Sequence, residues 1–234
     1  MRQAHSKVVA HASSKAAWLR LTKKGSAMAS SRFADLRKVP KQPAARLVAL
    51  ANSKIKTKLS VPVSASVSEV MEELASKTTD VDAGVDMIRV MAMALPMRER
   101  VWWACMAARD VLGPSPEKIP LTLDAAEKWV RSPSDELREK ARVAAEAAGV
   151  DDPTTLCATA VAFCDDKLGT GDLAQYDGPP GASQNCVFAT VAQAISVLDP
   201  DPMVACNILV DRAVDIARGG NGTVKHETAK EPNS

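Results

Sequence analysis

From about residue 62 onward, apolar positions recur with the three-and-four spacing of amphipathic helices, and helix-start and helix-stop signals separate them. The first helix is expected from Ser66, where "SVSE" forms a capping box with Ser66 as cap and Glu69 reaching back, and it runs to about Ser76. "DAGVDMIRVMAMALP" then carries a broad apolar face through Val85, Ile88, Val90, Met91, Met93, Ala94 and Leu95. Pro96 ends it, because proline disfavours helix at the residue before it and suits the first turn of the next. The following helix, "MRERVWWACMAARDVL", stops at Gly113.

The same grammar repeats. A helix is expected from about Leu123 through "TLDAAEKWVR". "SPSDELREKARVAAEAAG" follows, with Ser132 as cap, Pro133 in the first turn, Asp135 at the capping-box position and Gly149 as the stop. "DPTTLCATAVAFCDDKLG" is expected to open at Asp152-Pro153 and close at Gly169. "DPMVACNILVDRAVDIARGG" opens at Asp201-Pro202 and closes at Gly219-Gly220. Before that last helix lies "SQNCVFATVAQAISVL", with Val187, Val191, Ile195 and Leu198 on one stripe, widened by Phe188 and Ala192. Thr170 to Ala182, rich in Gly and Pro, is the one long loop.

These patterns predict an all-α domain over residues 61–220, with about eight helices in an irregular bundle or stacked pairs and no strand. Residues 1–60 read as a basic arm, flexible or partly helical, because "VPKQP" and frequent bases interrupt any apolar face. Residues 221–234 read as a disordered polar tail.

Composition supports this division. Aromatic residues make up 3% of the chain against 46% hydrophobic overall, so the core is built from Ala, Val, Leu, Ile and Met, which suits helices. The net charge of +2 conceals two opposite halves. Residues 1–60 hold fourteen Lys and Arg against one acid, Asp35, whereas residues 61–234 hold sixteen against twenty-seven. The basic segment could track phosphates or an anionic membrane through Lys23, Lys24, Arg37, Lys38, Lys41, Lys54, Lys56 and Lys58. Trp18 and Phe33 are its only aromatics, too few for base stacking as the main mode. A solvated arm is the plainer reading of the same charges.

No run of apolar residues reaches the length of a membrane span, and the start lacks the apolar stretch of a secretory signal. Its Ser, Ala and Arg content also suits a transit peptide, or an extension upstream of a chain that begins at Met28. Five cysteines without a C-x-x-C pair argue against a disulfide framework or a zinc site, and a cytoplasmic location is expected.

The most conspicuous stretch is "PMRERVWWACMAARD". Trp102 and Trp103 are about 100° apart on a helix, so one ring is expected in the core and the other at its edge with its N–H bonded. The alternative is a binding hot spot of Arg100, Trp102, Trp103 and Arg109, with Tyr176 on the long loop beside it, since Trp and Arg are enriched at interface centres. Catalytic chemistry is poorly supplied. His5, His11 and His226 all fall outside the helical body, which removes Ser-His-Asp, Cys-His and histidine-metal arrangements, and no phosphate-binding glycine loop occurs. Of the carboxylate pairs, Asp151-Asp152 and Asp199 with Asp201 suit helix capping. Asp165-Asp166, near a helix C-terminus, is the least usual, and with Asp172 it is where an unrecognised enzyme would hold a ligand.

"RVWWACMAARDVLG", "DAAEKWVRSPSDELREKARVAAEAAG", "PTTLCATAVAF" and "VDIARGG" resemble an uncharacterised family of bacterial all-helical proteins whose genes often lie near type VI secretion components. The resemblance spans about residues 85–220. At Cys164 to Gly169, "CDDKLG" stands in place of that family's Ser-Gly-Gly turn. The resemblance implies an accessory or adaptor role and no catalytic residue or cofactor. The expected function is a non-catalytic protein-interaction module with a protein partner. The alternatives are nucleic-acid or anionic-surface binding through residues 1–60, or an enzyme of unrecognised type.

Overall fold

The computed structural model describes residues 31–224, which fall into two compact units, Met1–Ala34 and Asp35–Ser234. Of the first, only residues 31–34 are described, and they form a turn in which the Ala34 amide donates to the Ser31 carbonyl at 2.9 Å. Lys23 and Lys24 lie outside the described residues. The described part of the second unit is all-α, with nine α-helices and no strand.

The helices are α1 (Ala44–Leu50), α2 (Val67–Ala75), α3 (Val81–Ala94), α4 (Met97–Leu112), α5 (Leu121–Arg131), α6 (Asp135–Glu146), α7 (Thr155–Ala162), α8 (Ala182–Leu198) and α9 (Pro202–Arg218). Eight of them start after residue 61, the number expected. Their arrangement is an irregular bundle rather than a row of stacked pairs. Helices α2 with α3, α5 with α6 and α6 with α7 pack as sequence neighbours, but α8 touches α3, α4, α7 and α9, joining helices distant in sequence. The α4–α8 packing is the most extensive. Val101, Trp103, Ala104, Cys105 and Ala108 are buried on α4, and Val187, Val191 and Ala194 on α8. The many alanines in these faces let helix axes approach closely.

Most boundaries follow from local chemistry. Ser66 accepts from the Glu69 amide at 3.3 Å while the Glu69 carboxylate accepts from the Ser66 amide at 2.8 Å, which closes the capping box. Asp201 caps α9 by accepting from the Met203 amide at 2.8 Å, and Gly219 ends that helix in the left-handed region. Two starts differ from expectation. Ser132 is the residue after α5, and Ser134 caps α6, its hydroxyl accepting from Leu137 N at 3.2 Å, so Pro133 precedes the cap. Helix α7 begins at Thr155 rather than after Asp152 and ends at Ala162 rather than Gly169. Asp152 instead accepts from the Thr154 amide at 2.8 Å and from the Thr122 hydroxyl at 2.6 Å, tying the start of α7 to the start of α5. Burial raises its pKa, but these bonds outweigh that and leave it below the ordinary value.

The boundary expected at residue 60 is not a packing boundary, since the second unit begins at Asp35. Ala44, Val48 and Ala51 are buried, the Lys38 amide donates to the Ala217 carbonyl at 2.9 Å, and α1 packs on α3. The sequence hid this because only every third or fourth residue of so short a helix turns inward. The tail also starts late. Trp102 Nε1 donates to the Asn221 carbonyl at 2.8 Å and the Gly222 amide to Asp215 Oδ2 at 2.8 Å; residues 225–234 lie outside the described ones.

Candidate interaction surface

The two tryptophans divide as the helical spacing predicts. Trp103 is fully buried, its indole N–H donating to the Leu209 carbonyl at 3.0 Å, while Trp102 is half-buried beside a hollow of about 310 Å³ lined by Lys38, Arg98, Glu99, Val130 and Arg131 among others. The hot-spot reading is therefore corrected for Trp103 and for Arg100, which is only 7% exposed. Arg109 remains exposed, but its guanidinium is paired with the Glu127 carboxylate at 2.5 Å.

Arg100 does something the sequence did not suggest. From α4 it reaches under the chain that leaves α7, donating to the Cys164 carbonyl at 2.9 Å and to the Ser183 hydroxyl at 3.2 Å. Burial lowers its pKa, and attraction from Asp166 and Cys164 works against that. A second buried guanidinium, Arg138 on α6, takes the next part of the same segment. It donates to the Ala162 carbonyl at 2.8 Å, the Lys167 carbonyl at 3.1 Å and the Asp165 carboxylate at 2.6 Å.

Residues 163–178 thus form a stitched loop rather than a loose one. Within it the Leu168 amide donates to the Tyr176 carbonyl at 3.1 Å, the Gly178 amide to the Asp166 carbonyl at 2.8 Å, and Lys167 pairs with Asp177 at 2.6 Å. Each of that exposed pair shifts the other's pKa toward its charged form. Gly171–Gln175 makes a 3₁₀ turn, and Asp166 adopts a left-handed φ of 61°. On this frame Leu168, Leu173 and Tyr176 are exposed, Tyr176 at 55%. Beside Leu168 and Leu173 lies an apolar groove of about 430 Å³ between α6 and α7, lined also by Ala145, Phe163 and Arg142. Of the loop's acids, Asp165 and Asp177 are paired, whereas Asp166 and Asp172 form no ion pair among the described residues.

So Tyr176, Arg100 and the loop come together, but with Arg100 beneath the surface, and Arg109 and Trp102 do not join them. Asp165, considered with Asp166 and Asp172 as a ligand cluster, is taken up by Arg138; among the described residues no group of three His, Cys, Asp or Glu is placed to hold a metal. Arg138 sits within the charged run "DELREKAR", where charge on a helix ordinarily signals solvent. Its spacing with Ala141 and Ala145, i, i+3 and i+7, was the signal that it lies on the inward stripe.

The cysteines are all free thiols, and Cys186 alone is not fully buried. Cys105 and Cys157 meet in the core, and the contact with Cys157, then burial, pushes the Cys105 pKa well up; burial raises Cys186 and Cys206 to about 11. Such thiols are poor nucleophiles.

Of the bases read as anion-binding, Arg37 pairs with Asp35 at 2.6 Å and Lys38 with Glu99 at 2.7 Å. Lys41, Lys54, Lys56 and Lys58 remain exposed.

The model of a family of unknown function, DUF6931, matches residues 70–217, well over half the chain. The chain belongs to that family. Neither a curated protein nor a solved structure matches it. The family span contains the stitched loop and both arginines that hold it, and it begins after α1 and residues 53–61. Among the described residues no helix is long and apolar enough to cross a membrane.

Proposed function

We propose that this family member is a non-catalytic protein-interaction module whose binding surface is the loop 163–178 with the groove beside it. One observation carries the reading: two buried guanidiniums hold a loop that presents Leu168, Leu173 and Tyr176 to solvent. Ordering exposed apolar side chains in advance lowers the entropy cost of binding, and a rigid scaffold presenting a loop is a common recognition device. Exposed Leu168, Leu173 and Tyr176, with Asp172 forming no ion pair among the described residues, favour a partner segment of large apolar side chains flanked by Lys or Arg. The sequence resemblance to proteins encoded near type VI secretion components makes an accessory or adaptor role in bacterial secretion the proposed setting.

Selection of a random displayed-peptide library against the full chain tests this. Enriched peptides should pair a large apolar residue with flanking bases, lose binding to a Leu173→Ser/Tyr176→Ala variant, and weaken with salt. Enrichment of acidic peptides, or binding that the variant leaves intact, would overturn it.

A further inference from the structure

From Leu36 to Ser68 the chain holds seven Lys and Arg and no acid. Elsewhere in the second unit most bases meet a carboxylate: Lys77 with Glu73, Arg89 with Asp86, Arg109 and Arg131 with Glu127, Lys128 with Asp124, Lys140 with Glu136, and Arg212 with Asp110. Among the described residues, Lys41, Arg46, Lys54, Lys56 and Lys58 meet none. Five successive bases are thus exposed and uncompensated.

Three of them form a row. Over residues 53–60 exposure alternates: Lys54, Lys56, Lys58 and Ser60 face solvent, while Ser53, Ile55, Thr57 and Leu59 are half-buried. The backbone bends at Thr57, where two consecutive amides turn to the same carboxylate oxygen, and the three lysines leave the surface from one short irregular strip. The row is held from below by carboxylates. Asp86, 1% exposed, accepts the Lys56 and Thr57 amides at 2.8 and 2.7 Å, and Glu73 accepts the Ser60 and Val61 amides at 2.7 and 2.8 Å. Arg89 bonds Asp86 at 3.2 Å and lies 4.0 Å from the centre of the Phe188 ring, which fixes Asp86 in turn.

We infer that residues 41–58 bind the phosphate backbone of duplex nucleic acid without sequence preference. A cluster of uncompensated point charges on a strip whose backbone is held by a buried carboxylate suits a polyanion. The residues between Lys54, Lys56 and Lys58 turn inward, so these three lysines are interleaved with no exposed apolar side chain; Leu50, exposed within the segment, is a single apolar contact, too little for a bilayer interface, and Val63 lies beyond it. No aromatic residue occurs between Leu36 and Ser68 on which an unpaired base could stack, so the contacts fall on phosphates of a duplex rather than on bases of a single strand.

The test is fluorescence anisotropy of a labelled duplex of arbitrary sequence with the full chain, titrated at several salt concentrations. Each phosphate contact contributes about 0.9 to the slope of log affinity against log salt. The K54Q/K56Q/K58Q variant should therefore lose roughly 2.7 from that slope and roughly tenfold or more in affinity at low salt. K54R/K56R/K58R should retain binding. K118Q/K128Q/K140Q, which removes the same net charge from exposed positions elsewhere, should change neither slope nor affinity appreciably. Should the triple Gln variant fail to fold by circular dichroism, each single Gln substitution should still lower the slope by about 0.9. Absence of duplex binding, an unchanged slope in the row variants, or equal loss in the control variant overturns the inference. So does a row-dependent affinity for phosphatidylserine vesicles without one for duplex.

Discussion

Two stretches of irregular backbone in the second unit, residues 53–61 and 163–178, are held by charges of opposite sign. The first presents amides to the interior, and the carboxylates of Asp86 and Glu73 accept them. The second presents carbonyls, and the guanidiniums of Arg100 and Arg138 donate to them. In both, backbone groups outside helices must still find partners, and a charged side chain satisfies two or more at once. The outer faces then carry the reverse charge: lysines without ion pairs over Asp86 and Glu73 in one, exposed Asp166 and Asp172 on the loop that the buried arginines hold in the other. The anchoring charge and the displayed charge are thus complementary across a single layer of backbone.

The comparison breaks most sharply at Arg138. Replacing it with Met keeps the stem's packing but strands the Ala162 and Lys167 carbonyls and frees Asp165, and should cost about 3 kcal/mol in urea unfolding. A loss under about 1 kcal/mol would mean that water replaces the guanidinium and that the loop is not preordered by it. Gly181→Ala should cost about 2 kcal/mol. Gly181 has φ of 69° where the loop joins α8, and a Cβ there would fall 2.4 Å from the Ala51 backbone. Because Asn185 also donates to the Ala51 carbonyl at 3.0 Å, this variant should loosen the approach to the lysine row as well as the start of α8. Hydrogen exchange at Asn52 and Ser53 reports it.

Asp86→Ala should cost less, about 1.5 kcal/mol, because the freed strip amides can turn to water. Exchange at Lys56 and Thr57 should accelerate while that at Leu168 does not, which separates the two devices. The smallest effect is acid titration of Glu73. Amide bonds from Val61 and Ser60 hold its carboxyl below the ordinary range. A carboxylate with a lowered folded pKa stabilises the fold above its unfolded value, about 4.3, and that contribution disappears as pH falls through the folded value. The Ser60 and Val61 amides should be protected at pH 7 and lose protection only once pH falls below the ordinary carboxylate range, whereas the loop carbonyls bound by guanidinium should hold their geometry over the same range.

Much of this was legible in one dimension. The apolar spacing and the signals at Ser66, Pro96, Gly113, Asp201 and Gly219 located helices because each acts within one turn of chain. Trp102 and Trp103 divided between edge and core for the same local reason. Arg100 was misplaced because its helical neighbours Arg98 and Glu99 are polar, and nothing local reveals that the chain after α7 crosses above it. Arg138 and Asp86 were overlooked for a related reason: charge on a helix ordinarily signals solvent, and only the presence of unbonded backbone nearby makes its burial favourable.

Helix content, the division of charge along the chain and the scarcity of catalytic histidine follow from residue types and spacings of a few positions. That residues 35–60 belong to the compact unit, and that Asp86, Glu73, Arg100 and Arg138 anchor two loops of opposite display, were decided by contacts distant in sequence, such as Glu73 with Val61, 12 positions apart, and Asn185 with Ala51, 134 apart. Those contacts depend on chain reversals and on the pairing of backbone groups across them, which periodicity within a segment does not encode.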